Sequence, residues 1–170
     1  MTKELMIGCG SRRNKIIDNG KPFDELTTLD INPAHEPDVV WNLTDLPLPF
    51  DDNTFDEIHA YEVLEHTGAQ GDYNFFFAQF SDLWRILKPD GVLFATVPNV
   101  NSPWAWGDPS HTRVIPKETL MFLSQAEYEK QVGVTPMSDF RYIYNADFEL
   151  VYLNENEHTL AFALRAVKNG

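Results

Sequence analysis

The hydrophobic residues of the first sixty positions occur in short runs separated by turn-forming residues, a pattern that predicts β-strands. Four runs fit this description, and each is bounded by Gly, Pro, Asn or Asp, the residues that favour turns. The connection after the first run is polar and contains Asn19-Gly20, which leaves room for at most a short helix. The predicted strands cover residues 5–7, 26–29, 38–41 and 55–60.

Two later segments carry the period of a helix. Apolar residues recur at three- and four-residue steps over residues 72–87, which predicts an amphipathic helix with Asp72 near its N-terminal cap. A second helix is predicted to begin at Pro116, because proline is favoured in the first turn, and to end near Gln131.

The remaining apolar runs predict the rest of a sheet. Residues 92–97 form a continuous apolar run, typical of a central strand covered on both faces, and residues 148–153 and 159–167 flank a polar turn. Strands that alternate with helices indicate a mainly parallel sheet. We therefore predict an α/β fold with a seven-stranded, mostly parallel sheet, a C-terminal antiparallel hairpin and helices on both faces, in one domain over residues 1–170.

Composition and charge narrow the class of partner. The 170 residues include 26 acidic and 13 basic side chains, a formal net charge of −13 that repels phosphate backbones and disfavours nucleic acid. Cys9 is the single cysteine, so an intrachain disulfide is excluded and a reducing compartment, the cytoplasm, is expected. No apolar run is long enough for a signal peptide or a membrane span, so no membrane association is expected.

Small and polar residues that follow the predicted strands are the candidates for chemistry. Gly8-x-Gly10 lets a ligand approach the backbone closely, and Asp30, about 20 residues further on, stands where an acid binds ribose hydroxyls. A purely structural turn and a helix cap at Asp30 are the alternatives. Arg13 replaces the third glycine of the dinucleotide fingerprint, which argues against NAD or FAD. The turn and the acid suit a nucleoside ligand without phosphates, and an acidic protein rich in aromatic residues is compatible with a cationic sulfonium.

Five segments, in order, resemble the motifs of the class I S-adenosylmethionine-dependent methyltransferases, in particular the small proteins of the methyltransferase-11 group. The resemblance covers about residues 4–99 and implies a Rossmann-like fold with S-adenosylmethionine as the cofactor. The segments are residues 5–10 (first motif), 28–31 (ribose-binding acid), 42–50 (acidic loop at the adenine), 55–66 (strand-four motif) and 83–91 (helix and turn before strand five).

The resemblance also implies which residues meet the cofactor and the acceptor. In the family, the segment after strand four faces the methionine part of the cofactor, which makes Glu62, Glu65 and His66 candidate acid-base residues. Residues 108–111 are similar to an Asp-Pro-x-His stretch of some relatives, and His111 is the candidate general base. The implied cofactor-binding residues are Gly8, Cys9, Gly10, Asp30, Ile31, Asp45, Leu46 and Tyr61.

The expected function is transfer of a methyl group from S-adenosylmethionine to an unidentified acceptor. A small molecule or a sugar is favoured over nucleic acid, because residues 60–63 lack the Asp-Pro-Pro-Tyr motif of DNA amino-methyltransferases. The alternative is a non-catalytic subunit that binds the cofactor within a larger assembly. Because the chain starts on its first strand, the substrate pocket is expected to come from the loops after strands four and five, or from a second copy or a partner chain.

Three further features have a simpler interpretation than a role in chemistry. Residues 62–66 differ by one substitution from the His-x-x-Glu-His zinc pattern, but Glu62 replaces the first ligand and no third ligand follows, so no metal is expected. Cys9 lies between two glycines without a paired base and is interpreted as a packed residue rather than a nucleophile. Asp45 has the alternative role of turning the chain.

Overall fold

A seven-stranded mixed sheet forms the centre of the computed structural model, which describes residues 1–17 and 21–168. The strand order is β3-β2-β1-β4-β5-β7-β6, and β7 runs antiparallel to both of its neighbours while the remaining pairs are parallel. The predicted mostly parallel sheet with a C-terminal hairpin is confirmed. The strands are β1 (Lys3–Ile7), β2 (Glu25–Asp30), β3 (Val39–Val40), β4 (Phe55–Tyr61), β5 (Leu87–Pro98), β6 (Phe148–Glu155) and β7 (Thr159–Ala166).

The order of the strands places a crevice at one edge of the sheet. After β1 the chain forms β2 and β3 on one side, and then crosses to β4 on the other side of β1. Ligands of open α/β sheets bind where the strand order reverses, beyond the carboxyl ends of the strands. The loops after β1, β2 and β4 therefore surround the position at which a ligand is expected.

Three α-helices follow β4 in the described part of the chain: α1 (Tyr73–Ile86), α2 (Pro103–Gly107) and α3 (Gln125–Gln131). Helix α1 has the predicted cap, because the Asp72 carboxylate accepts a hydrogen bond of 3.0 Å from the Phe75 N–H. The helix predicted over residues 116–131 is divided into a 3-10 helix, Lys117–Leu123, and α3. Ser124 separates them, since its backbone is extended and its hydroxyl caps α3.

The main hydrophobic core lies on one face of the sheet. The side chains of Leu5, Ile58 and Leu93 on three adjacent strands pack there against Phe80 and Leu83 of α1. On the opposite face the described residues of the connection between β1 and β2 form no helix. This connection is short and polar, and its predicted turn at Asn19-Gly20 lies outside the described residues. No helix among the described residues is long and apolar enough to cross a membrane.

A buried ionic cluster attaches that connection to the second face of the sheet. The Lys15 ammonium contacts the Glu4 carboxylate and lies 3.1 Å from Oε2 of Glu57. Nε2 of His59 lies 3.2 Å from the same Glu57 oxygen, and Nδ1 of His59 lies 2.8 Å from the Tyr61 hydroxyl. The hydrogen bond from His59, together with Lys15, lowers the pKa of Glu57 to about 2. The cluster thus positions the segment that follows the Gly8-x-Gly10 turn.

Candidate functional site

Two adjoining cavities lie at the carboxyl ends of β1, β2 and β4. Their volumes are about 360 and 470 Å³, and both are lined by Gly8 and Glu62. Together they have the size of a site for a drug-sized molecule. The smaller cavity is lined on one side by the turn after β1 and by Tyr61, and the larger cavity by Asp30, Ile31, Trp41 and residues that follow β4.

The turn after β1 has a conformation that requires glycine. Gly8 and Gly10 have φ angles of +59° and +53°, in the left-handed region that other residues rarely adopt. A Cβ atom on Gly8 would lie 2.2 Å from Cγ2 of Val63, whereas one on Gly10 would have no heavy atom within 4 Å. Cys9 between them is buried, and burial raises the pKa of its thiol, which fits a packed residue.

The different surroundings of the two glycines lead to a stability prediction. We expect Gly8→Ala to lower the free energy of unfolding by about 2 to 5 kcal/mol, because backbone strain adds to overpacking against Val63. Gly10→Ala should lower it by only about 1 to 2 kcal/mol, from strain alone. Urea denaturation of both variants and the wild type measures the difference. Equal losses would show that the contact with Val63 does not constrain the turn.

Asp30 joins the turn after β1 to the end of β2. Its side chain is buried, Oδ2 accepts a hydrogen bond of 2.8 Å from the Gly10 N–H, and Oδ1 accepts one of 2.8 Å from the Asn32 N–H. Asn32, not Asp30, caps the short 3-10 helix Pro33–His35. A carboxylate has about four lone-pair sites, so two remain on Asp30 for hydroxyl donors in the larger cavity.

The other predicted cofactor residues have different places in the structure. Ile31 lines the larger cavity with 62% of its surface exposed, and Tyr61 lines the smaller one. Asp45 and Leu46 are not among the residues that line the two cavities. The Asp45 carbonyl instead accepts a hydrogen bond of 2.8 Å from Nε1 of Trp41, which does line the larger cavity.

Sequence reasoning missed several residues that shape the site. Arg13 was interpreted only as a departure from the dinucleotide fingerprint, yet its guanidinium donates to the Gly10 carbonyl at 2.6 Å and to the His35 carbonyl at 2.9 Å. Arg13 thereby braces the turn after β1 against the loop after β2. Trp41 and Asn42 line the larger cavity, and the signal that identifies them is their position directly after β3.

The candidate acid-base residues come together after β4. Glu62 adopts a φ of +51°, lines both cavities, and is followed by a 3-10 helix, Leu64–His66. His66 lines the larger cavity, and its ring packs edge-on against the ring of His111 with centroids 4.7 Å apart. The structure therefore brings Glu62, His66 and His111 to one side of the larger cavity.

A sequence model of a methyltransferase domain matches residues 5–95, more than half of the 170 residues. The chain belongs to this family. The resemblance to the class I methyltransferases is confirmed, and the protein is an S-adenosylmethionine-dependent methyltransferase. No curated protein has a sequence that matches this chain significantly.

Solved structures share the fold of this methyltransferase at low sequence identity. A methyltransferase of Archaeoglobus fulgidus is 16% identical, with 96% of this chain and 86% of that chain covered and a TM-score of 0.59. The N-methyltransferase NodS of Bradyrhizobium japonicum, in complex with S-adenosylhomocysteine, is 16% identical (98% and 79% covered, TM-score 0.57). A chain of the complex between the Haloferax volcanii Trm112 activator and a candidate methyltransferase is 17% identical (99% and 83% covered, TM-score 0.60).

The two histidines of the methyltransferase have defined tautomers. Nδ1 of His66 lies 3.2 Å from the Ser110 carbonyl oxygen, and Nδ1 of His111 lies 2.8 Å from the Trp104 carbonyl oxygen. A carbonyl oxygen only accepts, so the neutral rings donate from Nδ1 and keep a free lone pair on Nε2. Helix α2 carries Trp104 and so positions His111.

Glu65 is the buried acid of the same region. Its side chain is 3% exposed, and Oε1 lies 3.9 Å from Nε2 of His66 and 4.0 Å from Nε2 of His111. Burial, assisted by the neighbouring Glu62 carboxylate, raises the pKa of Glu65 to about 8. The buried Arg113 guanidinium close by donates to the Leu64 carbonyl at 2.9 Å and to other oxygens, and makes no ion pair with Glu65. The site thus contains both acid and base functions beside the larger cavity.

Proposed function

We propose that this methyltransferase transfers the methyl group of S-adenosylmethionine to a small-molecule or sugar acceptor, with the reacting groups meeting beside Glu62. The observation that carries the proposal is the connection of the two cavities at Gly8 and Glu62. The backbone turn after β1 lines the smaller cavity, while Asp30 and His66 both line the larger one, and His111 packs against His66. Cofactor and acceptor can therefore meet within one crevice.

The proposed roles follow from the chemistry of the residues. Asp30 accepts hydrogen bonds from the ribose hydroxyls, and the turn at Gly8, Cys9 and Gly10 supports the methionine part of the cofactor. Ile31 and Tyr61 line the cavities and complete the proposed cofactor contacts. Asp45 and Leu46 line neither cavity, and Asp45 is proposed to act through Trp41, which donates to its carbonyl.

Methyl transfer itself is a direct displacement. A lone pair of the acceptor forms the new bond to the methyl carbon while the carbon–sulfur bond breaks, and its electron pair neutralises the sulfonium as S-adenosylhomocysteine leaves. An acceptor hydroxyl or ammonium also loses a proton, which the free Nε2 of His111 or His66, or the Glu62 carboxylate, accepts. Alignment of the three reacting atoms supplies much of the acceleration.

The charge of the protein supports a small acceptor. A net charge of −13 repels nucleic acid, and the acceptor side itself carries the acidic residues Glu62, Glu65 and Asp108. We propose a neutral or cationic small molecule or sugar for this reason. The predicted second copy or partner chain that covers the pocket stays a proposal. The exposed apolar side chains of the edge strand β6, which are Leu150, Val151, Tyr152 and Leu153, support an association at that edge of the sheet, and none of them lines the two cavities.

Turnover with a panel of acceptors tests the proposed function. The assay measures S-adenosylhomocysteine formed from S-adenosylmethionine in the presence of sugars, amines, phenols, carboxylic acids and, for comparison, DNA and RNA. We expect product with at least one small molecule and none with the nucleic acids. Cofactor binding without product across the whole panel would support a binding subunit instead, and product with nucleic acid alone would contradict the proposed acceptor.

The assignment of Asp30 gives the accompanying binding prediction. We expect Asp30→Ala to weaken S-adenosylhomocysteine binding by about 1.5 to 3 kcal/mol, about 10- to 150-fold, because it removes charge-assisted hydrogen bonds to the ribose. Isothermal titration calorimetry measures the affinity. Asp38→Ala is a matched control. The Asp38 carboxylate also accepts hydrogen bonds at strand β2, from the Thr28 N–H (2.7 Å) and hydroxyl (2.8 Å), but Asp38 lines neither cavity.

The control separates binding from folding. Asp38→Ala should lower the melting temperature while the affinity for S-adenosylhomocysteine stays within about threefold of the wild type. A loss of melting temperature in Asp30→Ala with unchanged affinity would instead assign Asp30 a purely structural role at the turn.

A further inference from the structure

Glu65 is a buried acid whose oxygen atoms have no hydrogen-bond partner. Both Oε1 and Oε2 are fully buried and accept no hydrogen bond from the described residues. An unpaired buried carboxylate costs several kcal/mol, so such groups in folded proteins are protonated, paired or bound to a metal. The side chain is 3% exposed and points toward the two histidine rings.

The histidines are oriented as metal ligands are. Nε2 of His66 and Nε2 of His111 keep free lone pairs, because both Nδ1 atoms face backbone carbonyls. Metal-binding histidines almost always donate their other ring N–H in this way, which fixes both the tautomer and the orientation of the ring. One carboxylate oxygen of Glu65 and the two histidine nitrogens lie within 4.8 Å of one another.

We propose that Glu65, His66 and His111 bind a divalent transition-metal ion on the acceptor side of the cofactor cavity. The distances from Glu65 Oε1 to the two nitrogens, 3.9 and 4.0 Å, are too long for hydrogen bonds. They exceed by about 0.5 Å the spacing of about 3.4 Å between ligands of a tetrahedral zinc ion with bonds near 2.1 Å. The two histidine nitrogens lie within 4.8 Å of each other, so binding of the ion would draw the three side chains together by rotation.

Charge around the cluster supports a cation. Glu62 lies near Glu65, and Oδ2 of Asp108 lies 3.8 Å from Nε2 of His111. Two imidazoles combined with carboxylate oxygens suit Zn²⁺, Co²⁺ or Fe²⁺ better than Mg²⁺, which prefers oxygen ligands alone. Glu62 or a water molecule can occupy a fourth position on the ion.

A second acid-histidine cluster of the same protein shows the contrast. Glu4, Glu57 and His59 also lie close enough to share an ion, but the ammonium of Lys15 contacts both carboxylates there. That cluster already contains its cation. In the cluster at Glu65, no lysine or arginine of the described part of the chain forms an ion pair with the carboxylate. The nearest cation, the buried Arg113, attracts Glu65 but directs its N–H groups to oxygens of Leu64, Thr67 and Gln79, so it does not bridge Glu65 and the histidines.

The ion would take part in methyl transfer, an extension that rests on the proposed function. A divalent ion with an open position binds a hydroxyl oxygen and lowers its pKa. With Nε2 of His66 and of His111 bound to the ion, an acceptor hydroxyl held there would lose its proton to the Glu62 carboxylate or to solvent water, where the two cavities meet. This role predicts an oxygen acceptor.

Zinc titration of the apoprotein tests the site without cofactor or acceptor. After chelator treatment and dialysis, we expect the wild type to bind one Zn²⁺ per chain with a Kd of about 1 μM or tighter, and Mg²⁺ at least about 100-fold more weakly. Glu65→Gln should weaken Zn²⁺ binding at least about 100-fold, because the amide carries no charge. His158→Ala is the matched control, since His158 is 67% exposed and far from the cluster in sequence.

Two additional measurements test the metal site even if Glu65→Gln does not fold. His66→Ala removes a ligand whose side chain is 37% exposed, and it should weaken Zn²⁺ binding at least about tenfold while circular dichroism stays unchanged. Co²⁺ bound to the wild type should give the visible absorption of a coordinated ion, quenched by added Zn²⁺. No Zn²⁺ or Co²⁺ binding by the wild type at 1 mM metal, or equal affinities of the wild type and both ligand variants, would overturn the proposal. Neither result would affect the assignment of the methyl-transfer function, which cofactor titration tests separately.

Discussion

Methyl transfer by the His111→Ala variant is expected to be about 10- to 1000-fold slower than by the wild type, with the affinity for S-adenosylhomocysteine within about threefold. His111 contacts the buried Glu65 and the ring of His66 on the acceptor side, and lines neither cofactor cavity. Its loss removes either a proton acceptor or a metal ligand from the reacting end of the crevice. Steady-state kinetics with the acceptor identified from the panel, together with calorimetric titration of the cofactor product, measures both quantities.

His158→Ala is the matched control for this variant and should retain the wild-type rate. Treatment of the wild type with a chelator separates the two roles of His111, because a metal ligand predicts a rate that is lost with the ion and restored by Zn²⁺. A proton acceptor predicts a rate that the chelator does not change. An unchanged rate in His111→Ala would direct attention to Glu62, Glu65 and His66.

The strands were predictable because their signals are local. Runs of apolar residues bounded by turn formers gave the first four strands to within about two residues at each end. Strand β5 extends further than its apolar run predicts, since Leu87 pairs with Phe55 ahead of a register shift and the turn residues Pro89 and Gly91 lie within the strand. The connection between β1 and β2 is short and polar, which predicts at most a short helix, and its described residues form none.

The cofactor side was predictable from spacing, and the acceptor side was not. Gly8 follows β1 and Asp30 ends β2, and these two strands are adjacent and parallel. The spacing of the two residues in sequence therefore predicts that they lie at the same edge of the sheet. The third member of the cluster at Glu65 and His66 is His111, 45 residues further along the chain, and only packing of the loop after β5 brings its ring within 4.7 Å of His66. The sequence around residues 62–66 therefore shows no third metal ligand. Burial of Glu65 with unpaired oxygens is likewise a tertiary property that no local pattern signals.

Lys15→Met is expected to lower the free energy of unfolding by about 3 to 5 kcal/mol, the typical effect of removing one partner from a buried ion pair. The Lys15 side chain is 6% exposed and contacts Glu4, whose side chain is fully buried, as well as Glu57. Methionine retains the apolar volume of the lysine stem but leaves two carboxylates without their cation. Urea denaturation at neutral pH measures the loss.

Lys117→Met is the control for Lys15→Met, because Lys117 forms an ion pair of 2.7 Å with Glu155 while its side chain is 44% exposed. A solvent-exposed pair contributes about 0 to 1 kcal/mol, so this variant should unfold at nearly the same urea concentration as the wild type.

The pH dependence of the free energy of unfolding gives a second readout of the Lys15 cluster. The pKa of Glu57 is lowered to about 2, so its contribution to stability is present above its ordinary pKa and is lost as the pH falls through about 2. Lys15→Met should raise the pKa of Glu57 and weaken this acid-dependent loss, and Glu4→Gln added to Lys15→Met should recover part of the stability by removing the unpaired charge. Equal stabilities of the Lys15 and Lys117 variants would show that the cluster does not hold the connection between β1 and β2 against the sheet.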